Sequence, residues 1–282
     1  MLKKSINYQS PSFYGFKMLL NELKVFIKFQ LRRMKKVKRT PELIIDIYEK
    51  IRKNKLTNLK KMSFETYIHG GNSLRWCLLD NKVCFGIKKT VHLRKLSILE
   101  SIYLESNAET VIEFGSGDGS NLLFLAKRYP KTKFIGLELS QSSVELSILA
   151  AKKFGIKNIS FFQTDLTMEK SYNNLLKKNC FVYSMHTLEE MPRIFKIPVS
   201  VLSKSEVETI AFFEPAYIFS FKRGFLDIAR FIRIINKDRL WGLITACKRL
   251  MHPRFNVDII DLGLGIKPEN PTTLIMLKRN KN

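Results

Sequence analysis

The sequence predicts an α/β fold: a seven-stranded, mostly parallel sheet with an antiparallel last strand, helices on both faces and a helical N-terminal extension. Two observations predict it. From about residue 95 onwards, short apolar strands alternate with amphipathic helices, as in a doubly wound sheet. The last two strands are joined by GIKPENP, which holds no helix, so they should pair antiparallel. The predicted strands are Thr110–Phe114, Lys133–Leu139, Asn158–Thr164, Phe181–Met185, Val207–Phe213, Val257–Leu264 and Thr272–Lys278.

A glycine-rich turn follows the first of these strands. The strand ends near Glu113, and Gly115, Gly117 and Gly119 follow at every second position before an amphipathic helix begins. Glycine allows positive φ and a close approach of a ligand, and the start of a helix attracts negative charge. The spacing differs from the dinucleotide motif G-x-G-x-x-G, and the lysine of a phosphate loop is missing. The turn therefore predicts a site for a ligand that needs no diphosphate-binding lysine.

Acidic residues also end the next two strands. Glu138 lies about 20 residues after the glycines, where an acid can accept hydrogen bonds from a ribose diol. Asp165 ends the third strand, where it can meet an adenine amino group. Each could instead be an ordinary strand-end or capping residue. Together the acids favour a nucleoside ligand with a cationic side arm.

With these motifs the chain resembles the class I S-adenosylmethionine-dependent methyltransferases over roughly residues 95–278. The resemblance implies that the glycine loop passes under the methionine moiety, that Glu138 holds the ribose and that Asp165 meets the adenine. It implies S-adenosyl-L-methionine as the cofactor. The residues assigned to the cofactor are Glu113, Gly115, Ser116, Gly117, Gly119, Glu138, Leu139, Asp165, Leu166 and His186.

The candidate catalytic residues are His186, Glu189 and Glu214, which follow the fourth and fifth strands. Ligands of open α/β sheets bind at the carboxyl ends of the strands, and histidine can act as a base near neutral pH. His186 could instead only shape the pocket, and Glu214 could be a surface strand-end acid. His69 and His92 are weaker candidates. No set of side chains has metal-ligand spacing, so we expect no metal.

The N-terminal region is strongly basic. The net charge of the 282-residue chain is +24, and residues 1–61 hold 17 Lys/Arg against 4 Asp/Glu. Apolar and basic residues from Phe16 to Met34 repeat at helical spacing. Such a helix favours binding of residues 13–39 to an anionic membrane surface. Compositional drift in a lysine-rich chain is the plainer explanation.

Three regions follow from these patterns. They are a basic helical extension (1–61), a lid on the acceptor side (62–94) and the catalytic domain (95–282). Residues 219–255, between the fifth and sixth strands, are longer than a crossover helix requires and mix aromatic with basic side chains. We expect them to form part of the acceptor site, a membrane-facing patch, or only a core helix with a solvated face.

The leading hypothesis is methyl transfer to oxygen or nitrogen of a small or lipid- or glycan-linked acceptor, with a membrane surface as one place where it could act. The alternatives are a methyltransferase acting on RNA or protein, and a non-catalytic cofactor-binding scaffold. The four cysteines form no C-x-x-C pair, and no apolar run reaches the ~20 residues of a membrane span. We therefore expect a cytoplasmic protein, with peripheral attachment to the inner face of the membrane as an option.

Overall fold

The computed structural model describes residues 7–9, 16–24, 49, 51–53, 55–70, 73–191, 194–216, 223–237 and 242–280. The strands in these ranges are β1 (Asn7–Gln9), β2 (Leu74–Leu79), β3 (Lys82–Ile87), β4 (Thr110–Phe114), β5 (Lys133–Glu138), β6 (Ile159–Gln163), β7 (Cys180–Met185), β8 (Thr209–Glu214), β9 (Phe255–Leu264) and β10 (Thr272–Arg279). The α-helices with fully described bounds are α1 (Phe64–His69), α2 (Lys88–Ser106), α3 (Ser120–Arg128), α4 (Gln141–Lys153), α5 (Lys196–Lys204), α6 (Phe225–Lys237) and α7 (Leu243–Met251).

The central sheet has seven strands in the order β6-β5-β4-β7-β8-β10-β9. Neighbours from β6 to β8 are parallel, and β10 is antiparallel to both β8 and β9. The predicted fold class is confirmed, and each predicted strand lies within two residues of the observed one. The carboxyl ends of β4, β5, β6, β7 and β8 share one edge, where the candidate site residues were expected.

The two faces of the sheet bury separate apolar cores. Because successive side chains of a strand point to opposite faces, neighbours alternate between the cores. In β7, Phe181 and Tyr183 join one core and Val182 joins the other. Helices α3 and α4 cover the first core, and α5 and α7 cover the second. This packing holds the strand ends at the edge of the sheet in fixed positions.

A second sheet, of order β1-β3-β2, precedes the central one. Strands β2 and β3 form a hairpin whose turn residues, Asp80 and Asn81, have φ of +49° and +63°. This is the backbone that two-residue hairpin turns favour. A bridge between Leu78 and Gly265 ties the hairpin to the β9–β10 connection. The lid role of residues 62–94 stays a prediction.

Only part of the predicted N-terminal helix lies within the described residues. Residues 16–24 are helical, while the rest of the stripe to Met34 lies outside the described residues. Met18 packs against β2, β3 and α6, but Phe16, Leu20 and Leu23 are exposed. Among the described residues of the predicted stripe, these three are exposed, whereas Leu19 packs against the same cluster as Met18.

The long segment between β8 and β9 contains α6 and α7, and residues 217–222 and 238–241 are not among the described ones. Helix α7 packs in the core that α5 also covers, which fits the expectation that this part of the segment is only a core helix. Helix α6 instead contacts the hairpin through Leu226 and Ala229. In the described part of the chain, no helix is long and apolar enough to cross a membrane.

Candidate active site

The glycine turn after β4 has the backbone that its sequence predicts. Gly115, Gly117 and Gly119 have φ of +68°, +56° and +72°, which L side chains adopt only with strain. The N–H groups of Gly115 and Ser116 donate to the carbonyl of Leu137 on β5, at 2.7 and 3.0 Å. The turn is thereby fixed against the neighbouring strand, and α3 begins directly after Gly119.

The three glycines are required for different reasons. A Cβ on Gly119 would lie 2.6 Å from the ring of Phe161, and one on Gly115 would lie 2.1 Å from the side chain of Thr187. A Cβ on Gly117 would meet only the far end of the Arg52 side chain, at 3.1 Å. Gly119 therefore serves packing behind the turn, and Gly117 is the glycine that keeps the open side of the turn clear.

A cleft of about 300 Å³ lies above this turn. The sequence-predicted residues that line it are Gly115, Ser116, Gly117, Glu138, Leu139, Asp165, Leu166 and His186. Ser116 is buried, and its Oγ finds no hydrogen-bond partner among the described residues. An unpaired buried hydroxyl at the wall of a cleft fits a polar ligand, because leaving it unsatisfied costs free energy.

The carboxylate of Glu138 faces the cleft and is fixed by the backbone. Its Oε2 accepts a hydrogen bond from the N–H of Gly117 at 2.8 Å, and its Oε1 accepts one from Ser140 at 2.9 Å. The strand-end acid is therefore attached to the glycine turn itself. Asp165 also lines the cleft, and its Oδ1 accepts from the N–H and the hydroxyl of Thr167 at 2.8 and 2.7 Å.

Glu113 lies behind the turn, and the described residues lining the cleft do not include it or Gly119. Its Oε1 accepts a hydrogen bond from Nδ2 of Asn121 at 2.7 Å, and burial raises the pKa of Glu113 to about 8. Because Glu113 is buried behind the turn, its position gives no support to the predicted direct contact between Glu113 and the cofactor. Glu113 positions Asn121, which does line the cleft.

Asp118, inside the glycine motif, was not among the predicted site residues. Its Oδ2 lies 2.6 Å from Nζ of Lys55 and 2.9 Å from Nη1 of Arg52. Burial alone would raise the pKa of Asp118, but these two cations outweigh burial and hold it well below its usual range. Arg52 also lines the cleft. The N-terminal extension thus supplies part of the cleft wall, through pairs that no local pattern predicts.

His186 has an unusual backbone and a dense hydrogen-bond environment. Its φ is +58°, and its N–H donates to the carbonyl of Phe213 at 2.9 Å. Its Nδ1 lies 2.8 Å from Oε1 of Glu189, and its Nε2 lies 2.9 Å from Oγ1 of Thr272 and 2.8 Å from Nζ of Lys95. Such strain in a non-glycine residue is typical of functional sites.

The placement of Glu214 argues against its predicted catalytic role. The residue is completely buried, so it is neither a surface acid nor exposed to an acceptor. Its carboxylate accepts hydrogen bonds from the hydroxyl of Ser184 and from the N–H groups of Thr187, Leu188 and Glu189, at 2.8 to 3.2 Å. Burial raises its pKa to about 7. Glu214 is a positioning residue that holds the loop carrying His186 and Glu189.

A second cavity, of about 460 Å³, adjoins the cleft. Ser120, Asn121, Met185 and His186 line both. The remaining wall comes from residues before β4 and from the β9–β10 connection, including His69 and His92, the two histidines that the sequence favoured least. Among the described residues, no group of three or more His, Cys, Asp or Glu side chains could hold a metal ion.

The chain is similar to known methyltransferases in sequence. Residues 107–184 match a family model described as "Putative methyltransferase". A release factor glutamine methyltransferase of Buchnera aphidicola is 26% identical over 123 residues, 41% of this chain and 44% of that protein. A tRNA (guanine-N(7)-)-methyltransferase of Helicobacter pylori is 26% identical over 184 residues, 63% of this chain and 42% of that protein. The chain spans less than half the length of these curated relatives.

Solved structures share the fold at low sequence identity. The [4+2]-cyclase SpnF has a TM-score of 0.58 at 11% identity, covering 86% of this chain and 97% of that one. The methyltransferase domain of bacterial CtHen1 has a TM-score of 0.50 at 14% identity, covering 68% of this chain and 100% of that one. The predicted resemblance is confirmed at the level of the fold, which is that of the class I S-adenosylmethionine-dependent methyltransferases.

We expect two alanine substitutions in the glycine turn to differ in their effect on folding. Gly119→Ala should lower the free energy of unfolding by about 2–4 kcal/mol, because it combines left-handed strain with overpacking against Phe161. Gly117→Ala should cost only about 1 kcal/mol, since its Cβ would meet only the far end of one long side chain. Urea denaturation measures both. Equal losses would contradict the separate roles given to the two glycines.

Proposed function

We propose that the protein transfers the methyl group of S-adenosylmethionine to an oxygen or nitrogen of a small acceptor held in the second cavity. The observation that carries this proposal is the position of His186, which lines both the cleft and the second cavity. A methyltransferase needs one wall shared by its two substrates, with a group there that can take the acceptor's proton.

The cofactor end of the proposal rests on the cleft residues. Gly117 leaves the turn open, Ser116 offers a hydroxyl, and the Glu138 and Asp165 carboxylates can accept hydrogen bonds from a ribose and an adenine. When bound, S-adenosylmethionine supplies a methyl group on a sulfonium, whose leaving thioether is neutral and needs no acid. The protein's task is then to orient the acceptor, exclude water and remove a proton.

The Glu189–His186 pair suits proton removal. Glu189 is buried, and its carboxylate is 2.8 Å from Nδ1 of His186. A proton on Nδ1 leaves Nε2 as the acceptor, on the side of Lys95 and Thr272. Burial lowers the pKa of Lys95 to about 8, so this lysine can also exchange a proton near neutral pH. An acceptor hydroxyl or amine would replace one of these two donors at Nε2.

Three other candidates from the sequence are weaker. Methylation of RNA is favoured by the net charge of +24 and by relatives named as tRNA methyltransferases; one relative is named for a protein substrate, a release factor. A non-catalytic role has no observation of its own; the cyclase that shares the fold shows only that the fold by itself does not fix the reaction. His186 is held by hydrogen bonds between the two cavities. Catalysis on a small acceptor explains this position better than RNA methylation, protein methylation or a non-catalytic role does.

A membrane-surface location stays part of the proposal, supported by an exposed apolar patch. Phe16, Leu20 and Leu23 are 45%, 44% and 36% exposed, and the ring of Phe16 contacts that of Phe225, itself 43% exposed. Lysines flank them in residues 16–24. Apolar side chains beside cations are what an anionic bilayer surface binds.

Replacing Glu138 by alanine tests the cofactor assignment. We expect Glu138→Ala to weaken the binding of S-adenosylhomocysteine by about 1.5–3 kcal/mol, the usual contribution of hydrogen bonds to a charged group. Calorimetry measures the affinity. Glu145→Ala, an exposed acid on α4, is the control and should bind as the wild type does. Unchanged affinity in Glu138→Ala would remove the ribose assignment.

Replacing His186 separates catalysis from cofactor binding. We expect His186→Asn to lower the rate of methyl transfer by about 10²- to 10⁴-fold, a far larger loss than any change in its affinity for S-adenosylhomocysteine. The measurement is transfer of labelled methyl groups into a small-molecule fraction of cell extract. His252→Asn, at an exposed histidine, should leave the rate unchanged. Full activity in His186→Asn would show that no base is needed at this position.

Vesicle sedimentation tests the membrane part. The double variant with Phe16→Ser and Leu20→Ser should bind vesicles containing anionic lipid on the order of tenfold more weakly, because two apolar side chains no longer insert. A matched control replaces Ile148 and Leu149, which are equally exposed on α4, by serine. If wild type and both variants sediment alike, the patch does not bind membranes.

A further inference from the structure

We propose that the second cavity recognises its acceptor by an anionic group, a phosphate or a carboxylate, and that the acceptor is a small molecule. This inference rests on the proposed function, because it takes the second cavity as the acceptor site. It names the chemical class of a substrate that neither the fold nor the sequence similarity specifies.

The charge of the cavity wall is the first argument. Lys55, Lys88, Lys95 and Lys267 line the cavity, and none of the described lining residues carries a carboxylate. Four cations around one cavity repel each other, and an anionic ligand would relieve that repulsion. A neutral acceptor would leave it in place.

The lysines differ in how far the protein already neutralises them. Lys55 is paired with Asp118 at 2.6 Å, and Lys95 contacts His186 and lies in the electrostatic field of Glu189 and Glu214. Lys88 is half-buried at the start of α2, and no ion pair with it occurs among the described residues. Burial lowers its pKa, as do the neighbouring charges of Arg75 and Lys55. Lys88 is therefore the cation that most needs a ligand.

Unpaired polar atoms in the same wall are a second, independent argument. His69 is 4% exposed, and its Nδ1 has no hydrogen-bond partner in the described part of the chain. The same holds for Nε2 of His92 and for Oδ1 of Asn121. Buried polar atoms of native proteins normally have partners, so three unpaired atoms on residues that line the cavity favour a polar ligand there over an apolar one.

The chemistry of these atoms describes the rest of the ligand. Burial lowers the pKa of both histidines, that of His92 to about 3, so neither ring adds a positive charge. A neutral imidazole nitrogen and an amide oxygen match hydroxyl or amine groups. The cavity therefore fits an anion that also bears hydroxyl or amine groups, one of which would lie at His186.

The size of the cavity decides between a small molecule and a macromolecule. At about 460 Å³ it falls within the range of small-molecule sites. Nucleic-acid binding instead uses an extended basic surface with many phosphate contacts. The lysines here line one cavity of small-molecule size, which favours a single anionic group.

Binding of two simple anions tests the proposal. The full chain, saturated with S-adenosylhomocysteine, is titrated with inorganic phosphate and separately with malonate, and binding is measured by equilibrium dialysis with labelled anion. Wild type should bind at least one of them. Lys88→Gln should weaken that binding about tenfold, and Lys88→Arg should retain it within about twofold, because it keeps the charge. Lys131→Gln removes an exposed lysine far from the cavity and should bind as the wild type does.

The outcomes separate the possibilities. Phosphate binding alone indicates a phosphate ester, and malonate binding alone indicates a carboxylate. The proposal is overturned if neither anion binds the wild type, or if Lys88→Gln binds the anion as tightly as the wild type does. It is also overturned if only an RNA oligonucleotide binds, with equal affinity for the wild type and for Lys88→Gln. Loss of anion binding in Lys88→Gln supports the proposal only when the circular dichroism spectrum of the variant matches that of the wild type. If Lys88→Gln does not fold, the test is whether Lys88→Arg retains anion binding.

The same series distinguishes this inference from the proposed function. If S-adenosylhomocysteine binds and the anions do not, the anionic acceptor is wrong while a methyltransferase remains supported. If the anions bind in a Lys88-dependent way but S-adenosylhomocysteine does not bind, the anion site stands and the proposed function fails.

Discussion

The turn after β4 is the constraint on which the rest of the site depends. The chain must leave the sheet edge through three residues with positive φ and start a helix at once. This geometry exposes the N–H of Gly117 to the carboxylate of Glu138, and it places Asp118 and Asn121 at the beginning of α3. The cleft wall, the link to the N-terminal extension and the border with the second cavity all follow from it.

Fully buried carboxylates build the site, and partly buried ones line its cleft. Glu113 and Glu214 lie in the interior and accept hydrogen bonds from Asn121 and from the loop after β7, while Asp118 lines the cleft and pairs with two cations. Because an ionised or polar group in the interior must be satisfied, each fixes its partners closely. Glu138 and Asp165 keep a side toward the cleft.

Local patterns predicted the sheet well, because each strand carries its own apolar signal and the glycine spacing is a local requirement. Glu138 and Asp165 were predictable for the same reason: parallel strands end at a common edge. Burial was not predictable at Glu214, since a strand-end acid looks alike whether it faces solvent or a loop. The pairing of Asp118 with Lys55 joins residues far apart in the chain, and no periodicity encodes it. Which side of the helix at residues 16–24 is exposed depends on its packing against α6. That packing is a tertiary contact, and the local sequence does not encode it.

Arg52, Lys55, His69, Lys88 and Lys95 all precede residue 107, where similarity to the methyltransferase family begins. The glycine turn, Glu138 and Asp165 lie inside the matched region, whereas these five residues, one from the cleft and four from the second cavity, lie before it. If the proposed acceptor site is right, much of its wall is therefore encoded outside the part of the chain that the family model describes. A match confined to residues 107–184 then carries no information about what this chain methylates.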